Sequence, residues 1–282
     1  MSVVTRFAPS PTGYLHLGHA YSALFAEQAA RKAGGRFLLR IEDIDSGRCR
    51  SVFEDAIYAD LAWLGLDWET PVRRQSEHFA DYRDALDRLD ADGLIYPCFC
   101  TRKDIEAEID AAGGAPHGPD GPVYPGTCRL LDPGERRDRL AAGEAHALRL
   151  DIDAALRRTG DLTWTDTDAG TVTAAPERFG DVVLARKDTP SSYHLSVTVD
   201  DHLQGVTLVT RGRDLFEATD VHRLLQALLG LEVPAYRHHP LLAGDDGKRF
   251  AKRDRSLTIA SLREAGATPA DVRRMIDGYL HG

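Results

Sequence analysis

Residues 6–19, RFAPSPTGYLHLGH, decide how the rest of the chain reads. Just before them Ser2-Val3-Val4-Thr5 is a short β-branched run, the composition of a strand. After them residues 20–32 are rich in Ala with Leu24 and Phe25 interspersed, a helix stopped by Gly34-Gly35. The stretch therefore lies on a strand-to-helix turn. Backbone N–H groups are unpaired there and the helix dipole favours negative charge, which predicts phosphate as the visitor. Pro9 and Pro11 stiffen the turn, and Gly13 and Gly18 remove side chains where a base or phosphate could approach. His16 and His19 supply two donors three residues apart, on one face of a helix start.

Working outward, residues 36–42, RFLLRIE, form an apolar run ending in charge, so strand, helix and strand complete a βαβ unit with a parallel sheet. Glu42 then stands at the carboxyl end of a strand, where open α/β sheets bind ligands, and could take an ammonium group; as a surface acid it would merely open a loop with Asp43 and Asp45. From Ser51 the positions Val52, Ala56, Leu61 and Leu64 read as an amphipathic helix closed by Gly65. A second helix over residues 76–92 carries apolar positions near 79, 82, 86 and 89. Residues 94–98 look like a strand leaving the first half of the fold.

A composition shift follows. Residues 111–126 hold five Gly and four Pro and read as loop. Cys98, Cys100 and Cys128 place three thiols around it, the spacing of a small zinc site. Two residues compete for a fourth position: His117, which general ligand preference favours, and Tyr124, four residues before Cys128. Residues 145–185 contain short strand-like pieces at 147–150, 162–165 and 181–184, a β-rich insertion without a catalytic constellation. From residue 185 the nucleotide fold resumes. An apolar run through 192–201 ends in two acids, residues 206–210 are a strand with Arg211 at its carboxyl end, and a helix over 214–229 stops at Gly230. Arg6 and Arg211 make two cations converging on one crevice, more than a nucleotide needs and suited to a dicarboxylic amino acid.

The 282 residues, 43% hydrophobic and 28% charged, describe an ordinary globular chain of one or two domains. No N-terminal apolar run suggests a signal peptide and no stretch is long and apolar enough for a bilayer. Four cysteines, two in Cys98-Phe99-Cys100, fit a metal site in a reducing compartment better than a disulfide framework, and Cys49 reads as a free thiol; the expectation is cytoplasmic. A net charge of −9 argues against broad, non-specific nucleic-acid binding while leaving room for a local basic patch.

RFAPSPTGYLHLGH resembles the first signature of class I aminoacyl-tRNA synthetases, in the form carried by glutamyl-tRNA synthetases, and the resemblance extends over nearly the whole chain. It implies an α/β Rossmann-type parallel-sheet nucleotide-binding domain split by a zinc-containing insertion. The division would be 1–97 and 185–240 for the two halves, 98–184 for the insertion, and 241–282 for a signature loop and short helices. It further implies that His16, Gly18 and His19 meet ATP with Mg²⁺, the histidines acting on its phosphates, and that Arg6, Phe7, Ala8, Pro9 and Ser10 line the glutamate site. The string RIEDIDSGR puts Glu42 on the substrate amine, and residues 191–215, SSYHLSVTVDDHLQGVTLVTRGRDL, put Tyr193 and Arg211 in the glutamate pocket. Val197 stands where full-length glutamyl enzymes tend to have Asn, which implies a drier pocket. Residues 247–254, GKRFAKRD, align loosely with the second signature, Lys-Met-Ser-Lys-Ser, and Lys252 keeps its second lysine.

The pattern C-x-C…Y-x3-C of short family members implies Tyr124 as fourth ligand of one structural zinc. Only residues 255–282 follow the loop, so no anticodon-binding domain is expected, and the chain resembles the glutamyl-queuosine tRNA(Asp) synthetase family. The implied activity is transfer of L-glutamate to the queuosine base in the anticodon stem-loop of tRNA(Asp), by a monomer with no membrane partner. A minimal synthetase charging a tRNA 3′ end and an inactive RNA- or protein-binding paralogue, suggested by the altered second signature, are the rival readings.

Overall fold

Strand β1 (Val4–Phe7) is buried along its whole length although it is the terminal strand of its three-stranded sheet, because a second sheet covers its other side. The computed structural model describes residues 2–111, 114–242 and 258–280, without the side chains of 278–280. After β1 the chain enters α1 (Leu17–Lys32) and returns along β2 (Arg36–Ile41), parallel to β1 with Phe7 opposite Leu39. The expected strand–helix–strand unit is therefore present. The helix begins three residues earlier than the Ala-rich run suggests, because His16 itself caps it. Gly34, at φ 61°, ends the helix, and at Gly35 a Cβ would stand 2.0 Å from the Val3 carbonyl oxygen, so only glycine lets the chain turn back so tightly beside β1. The face of α1 bearing Ala20, Tyr21, Leu24 and Phe25 packs on the sheet. Full burial of a residue such as Leu24 contributes about 1.5–3 kcal/mol.

The next elements are α2 (Ser51–Trp63) and β3 (Glu69–Arg74), which extends the parallel sheet in the order β1-β2-β3. Ile57 and Leu61 form the inward stripe of α2, whereas Val52 faces solvent, half a turn away from where the spacing put it. β3 escapes sequence reading because ETPVRR is polar and carries a proline; it is an edge strand, where both are tolerated. Then come α3 (Phe79–Ala91), with Tyr82, Leu86 and Leu89 buried as the period predicts, and β4 (Ile95–Cys98).

Beyond β4 lie α4 (Arg102–Ala111), a two-residue hairpin of β5 (His117–Gly118) and β6 (Gly121–Pro122), α5 (Pro133–Ala141), β7 (Ala147–Leu150) and α6 (Ile152–Thr159). The hairpin β8 (Thr163–Asp166) and β9 (Gly170–Thr173) follows, then β10 (Val183–Ala185). β7 pairs antiparallel with both β4 and β10 in a separate three-stranded sheet. The run at 192–201 is helical: α7 (Tyr193–Leu203), capped by Ser192 and buried along much of its length. β11 (Leu208–Gly212), α8 (Ala218–Leu229) and β12 (Ala235–His239) build the second half. β12 lies between β11 and β8, parallel to both, so the hairpin at 163–173 shares a sheet with the strand that ends at Arg211. The three-stranded parallel sheet and the mixed sheet of β11, β12, β8 and β9 meet at β1: the Val4 N–H donates to Thr207 Oγ1 at 2.8 Å, and the Thr207 N–H donates to the Val4 carbonyl at 3.0 Å. Among the described residues α9 (Ile259–Glu264) and α10 (Pro269–Leu280) complete the chain, burying Ile259, Val272 and Ile276 against the α1 side. No helix among the described residues is long and apolar enough to cross a membrane.

Candidate active site

β1 and β11 are neighbours, and the residues that follow them line a crevice of about 1210 Å³. Every residue of the stretch 6–10 lines it, together with His16, Gly18, His19, Glu42, Tyr193 and Arg211. Lys252 and the rest of 247–254 lie outside the described residues. Val197 is fully buried in α7 and is not among the side chains lining the crevice, so its effect on the pocket is indirect. Cys49 stands on the lip.

His16 is the N-cap of α1. Its Nδ1 accepts the Gly18 N–H at 3.1 Å, and the His19 Nδ1 accepts the His16 N–H at 3.2 Å, a reciprocal box built from two imidazoles whose centroids are 3.8 Å apart. A backbone N–H can only donate, so both Nδ1 atoms are deprotonated and each ring carries its proton on Nε2. The two rings stand over a helix N-terminus and line the crevice, a setting that favours phosphate oxygens. A Cβ at position 18 would stand 3.0 Å from the His16 ring, so glycine is what lets the cap form.

Glu42 follows β2, and its N–H donates to the Pro9 carbonyl at 3.0 Å, which ties it to the first turn. Beneath it lies an ionic core that the sequence reading did not identify. Arg40, fully buried, reaches Asp201 at 2.8 Å, Glu42 at 3.5 Å and Asp200 at 3.8 Å. Arg6 also pairs with Asp201, through Nε at 2.9 Å and Nη2 at 3.2 Å, and donates to the Thr210 carbonyl. Asp200 is held in turn by Arg73, Gln75 and Tyr82. Burial works against charge on Asp201, yet Arg6 and Arg40 hold its carboxyl below the usual range. Glu42 shares these cations only weakly, and burial pushes it up to about 7. The charge of Arg6 is thus committed to Asp201, although the residue lines the crevice. A signal for this core was present: an arginine inside the apolar run RFLLRI must be buried, and a buried arginine must be paired.

Arg211 differs. It is buried, and its four hydrogen bonds among the described residues all go to neutral groups. Nε donates to His238 Nε2 at 3.1 Å, Nη1 to Tyr193 Oη at 3.3 Å and His222 Nδ1 at 3.1 Å, and Nη2 to Thr219 Oγ1 at 2.6 Å. Of five guanidinium N–H groups four are taken, which leaves one on Nη2 and an uncompensated positive charge facing the crevice. The Tyr193 oxygen accepts from Arg211, and burial raises its pKa, so the phenol keeps its proton as a donor. One guanidinium N–H and one phenol O–H form a pair of donors suited to the two oxygens of a carboxylate. A carboxamide would set its own NH₂ against one of them.

Away from the crevice, the sulfurs of Cys98, Cys100 and Cys128 lie within 4.8 Å of one another. The Tyr124 oxygen stands 3.5 Å from the sulfurs of both Cys98 and Cys100, and Cys100 and Cys128 are 3.3 Å apart. Sulfurs arranged tetrahedrally about zinc at ~2.3 Å would be about 3.8 Å apart, so the cluster fits such an ion with small adjustments. Burial pushes the Cys100 thiol up to about 12 and raises the Tyr124 phenol, whereas Tyr124, Cys100 and backbone N–H groups bring Cys128 below the usual thiol range against burial. A cation replacing those protons would relieve the crowding of donors. Arg149 lies 3.9 Å over the Tyr124 ring and fixes it. His117 is exposed in β5 opposite Pro122 and is not part of the group.

The chain matches the family described as tRNA synthetases class I (E and Q), catalytic domain, over residues 2–277. It is 54% identical to the Glutamyl-Q tRNA(Asp) synthetase of Rhodobacter capsulatus, covering 97% of this chain and 99% of that protein. It is 47% identical to the protein of the same name from Symbiobacterium thermophilum, covering 98% and 86%. Among solved structures, the glutamate-tRNA synthetase of Elizabethkingia anophelis superposes with a TM-score of 0.78 at 28% identity, over 90% of this chain and 53% of that one, so the chain spans about half its length.

Proposed function

The chain belongs to the class I tRNA synthetases (E and Q), catalytic-domain family, and from that membership we propose its reaction and the part each residue plays. It is an ATP-dependent ligase that activates L-glutamate and transfers it to the queuosine of tRNA(Asp). The observation that supports glutamate is the neutral surrounding of Arg211, which leaves a buried positive charge and two donors for a side-chain carboxylate. The α-ammonium pairs with Glu42. The α-carboxylate oxygen attacks the α-phosphorus of ATP, pyrophosphate leaves, and a mixed anhydride with AMP remains. A hydroxyl of the modified base then attacks the carbonyl carbon and AMP departs. His16 and His19 donate Nε2–H to phosphate oxygens at the α1 N-terminus as charge develops, with Gly18 giving them room. Lys252, assigned from the signature alone, carries the charge facing the leaving pyrophosphate, and Mg²⁺ accompanies the phosphates. Phe7, Ala8, Pro9 and Ser10 form the wall along which glutamate lies. No side chain is needed as a covalent nucleophile.

We further assign one structural zinc to Cys98, Cys100, Cys128 and Tyr124 and the anticodon stem-loop as the bound part of the tRNA. The working division is two crevice-building halves, 1–97 and 185–240, an insertion at 98–184 that holds the metal, and a closing segment at 241–282. One chain supplies every crevice residue named, so a monomer suffices, and the cytoplasm is where its substrates meet.

The acceptor is tested with labelled glutamate. Label should remain with the anticodon stem-loop after nuclease cleavage, and only on tRNA whose anticodon contains queuosine; trimming the 3′-terminal adenosine should change nothing. Loss of labelling on trimming would make this a 3′-end charging enzyme instead. A second test concerns Glu42, which must be ionised to hold an ammonium group. With its carboxyl at about 7 in the free protein, the ionised fraction falls about tenfold per pH unit below that value, and the KM for glutamate should rise in step while that for ATP stays level. Glu42→Gln should remove the slope and leave KM high at every pH. A glutamate KM that is flat from pH 6 to 8 in the unsubstituted protein would take the amine away from Glu42.

A further inference from the structure

Behind Arg211 stands a chain of hydrogen bonds that the reaction does not use and that ends on two carboxylates. On one side Arg211 Nε donates to His238 Nε2, and His238 Nδ1 lies 2.7 Å from Asp166 Oδ2. On the other Arg211 Nη1 donates to His222 Nδ1, His222 Nε2 lies 3.1 Å from His194 Nδ1, and His194 Nε2 lies 3.5 Å from Asp120. A guanidinium only donates, so each proton in the chain is assigned by elimination. His238 must carry its hydrogen on Nδ1 and give it to Asp166. His222 must carry its hydrogen on Nε2 and give it to His194, which therefore carries its own on Nε2 towards Asp120. Thr219 accepts from Arg211 and lies 3.3 Å from His238 Nε2, closing the ring on one side.

We propose that His238 and His222, with Asp166 fixing the first, are positioning residues that aim Arg211 and keep its charge unspent, and that they thereby set the preference for glutamate over glutamine. Carboxylates in their place would aim Arg211 equally well but neutralise it. Neutral imidazoles of fixed tautomer hold it by two sides and leave its charge for the substrate. Asp166 is itself locked, since its Oδ1 accepts the N–H groups of Asp168 and Ala169, both at 2.9 Å. Burial, with Arg211 alongside, keeps His222 and His238 neutral, His238 at about 4 despite Asp166. The selectivity rests on the glutamate reading above, whereas the tautomers do not.

Histidine ¹⁵N spectra of the substrate-free full chain at pH 7 should therefore show His238 as the Nδ1–H form and His222 as the Nε2–H form. In Asp166→Asn the amide oxygen stays with the turn, its NH₂ faces His238, and the His238 proton should move to Nε2, opposing Arg211. His238→Asn keeps the group next to Asp166 but withdraws the acceptor from Arg211. Glutamate KM in both variants should rise roughly 10- to 100-fold, with the ATP KM unmoved and the glutamate-to-glutamine ratio falling alongside. His238→Gln, which can restore an acceptor at the Nε2 position, should recover most of that loss. A His238 found as Nε2–H or as a cation, or an Asn variant no worse than the Gln variant, would overturn the proposal. Wild-type protein that activates no glutamate would instead count against the proposed function, with the tautomers still deciding the histidines' role.

Discussion

Arg211→Gln should remove most of the enzyme's activity on glutamate. The guanidinium is buried and its charge is met by no carboxylate among the described residues, and the proposed function gives it the substrate carboxylate as partner. Deleting one member of such a hydrogen-bonded, desolvated charge pair costs about 2–5 kcal/mol, roughly 30- to 4000-fold in kcat/KM. Glutamine, which on this reading is a poor substrate of the parent, should lose far less, because a carboxamide would not draw on that charge. Arg211→Lys should fall between, keeping the charge but not the fork that Tyr193, His222 and Thr219 hold in place. Amino-acid-dependent pyrophosphate exchange measures all three. A loss of less than tenfold in Arg211→Gln would move the side-chain carboxylate elsewhere in the crevice.

The second large effect concerns the metal. Protein prepared with zinc should hold one ion per chain, and Cys100→Ser should bring that content close to zero, with Tyr124→Phe weakening retention more than His117→Ala. Structural zinc supplies about 10–16 kcal/mol to small modules, as much as the whole stability of an ordinary domain. Its removal should therefore unfold the surroundings of Cys98 to Cys128, seen as loss of amide protection there. The cluster that would come apart is small, Tyr96, Phe99 and the ligands themselves forming most of its buried apolar part. None of Cys98, Cys100, Tyr124 and Cys128 lines the crevice, so glutamate activation should persist. Equal protection with and without zinc would remove the ion from the structural account.

What the sequence disclosed follows a physical division. Short-range features were legible: the turn at 6–19, the βαβ unit and the helix stop at Gly34-Gly35 all depend on neighbours within a few residues. The strand-end position of Arg211 was legible for the same reason. β3 was missed because ETPVRR has an edge strand's composition, and 192–201 gave no helical signal because α7 is buried on nearly all sides and lacks a polar stripe. The site divides likewise. Glu42, Tyr193 and Arg211 sit in motifs, but Arg6 and Arg211 look alike in sequence, and only the fold reveals that Asp201 occupies the first while histidines surround the second. Those histidines come from separate elements, α7, α8 and β12, and no local spacing relates them.

The seam between the two sheets that meet at β1 also bears on how the protein is made. Val4 and Thr207, which join them, are 203 residues apart. At about 5–20 residues per second a ribosome needs roughly 10–40 s to deliver the second after the first. For that interval β1 has β2 on one side and an open backbone edge on the other, the kind of edge that recruits stray strands. Nascent chains of this protein therefore spend most of their synthesis with a fully buried strand half-paired, and whatever shields residues 4–7 during that interval acts on the folding route and not on the stability of the finished fold.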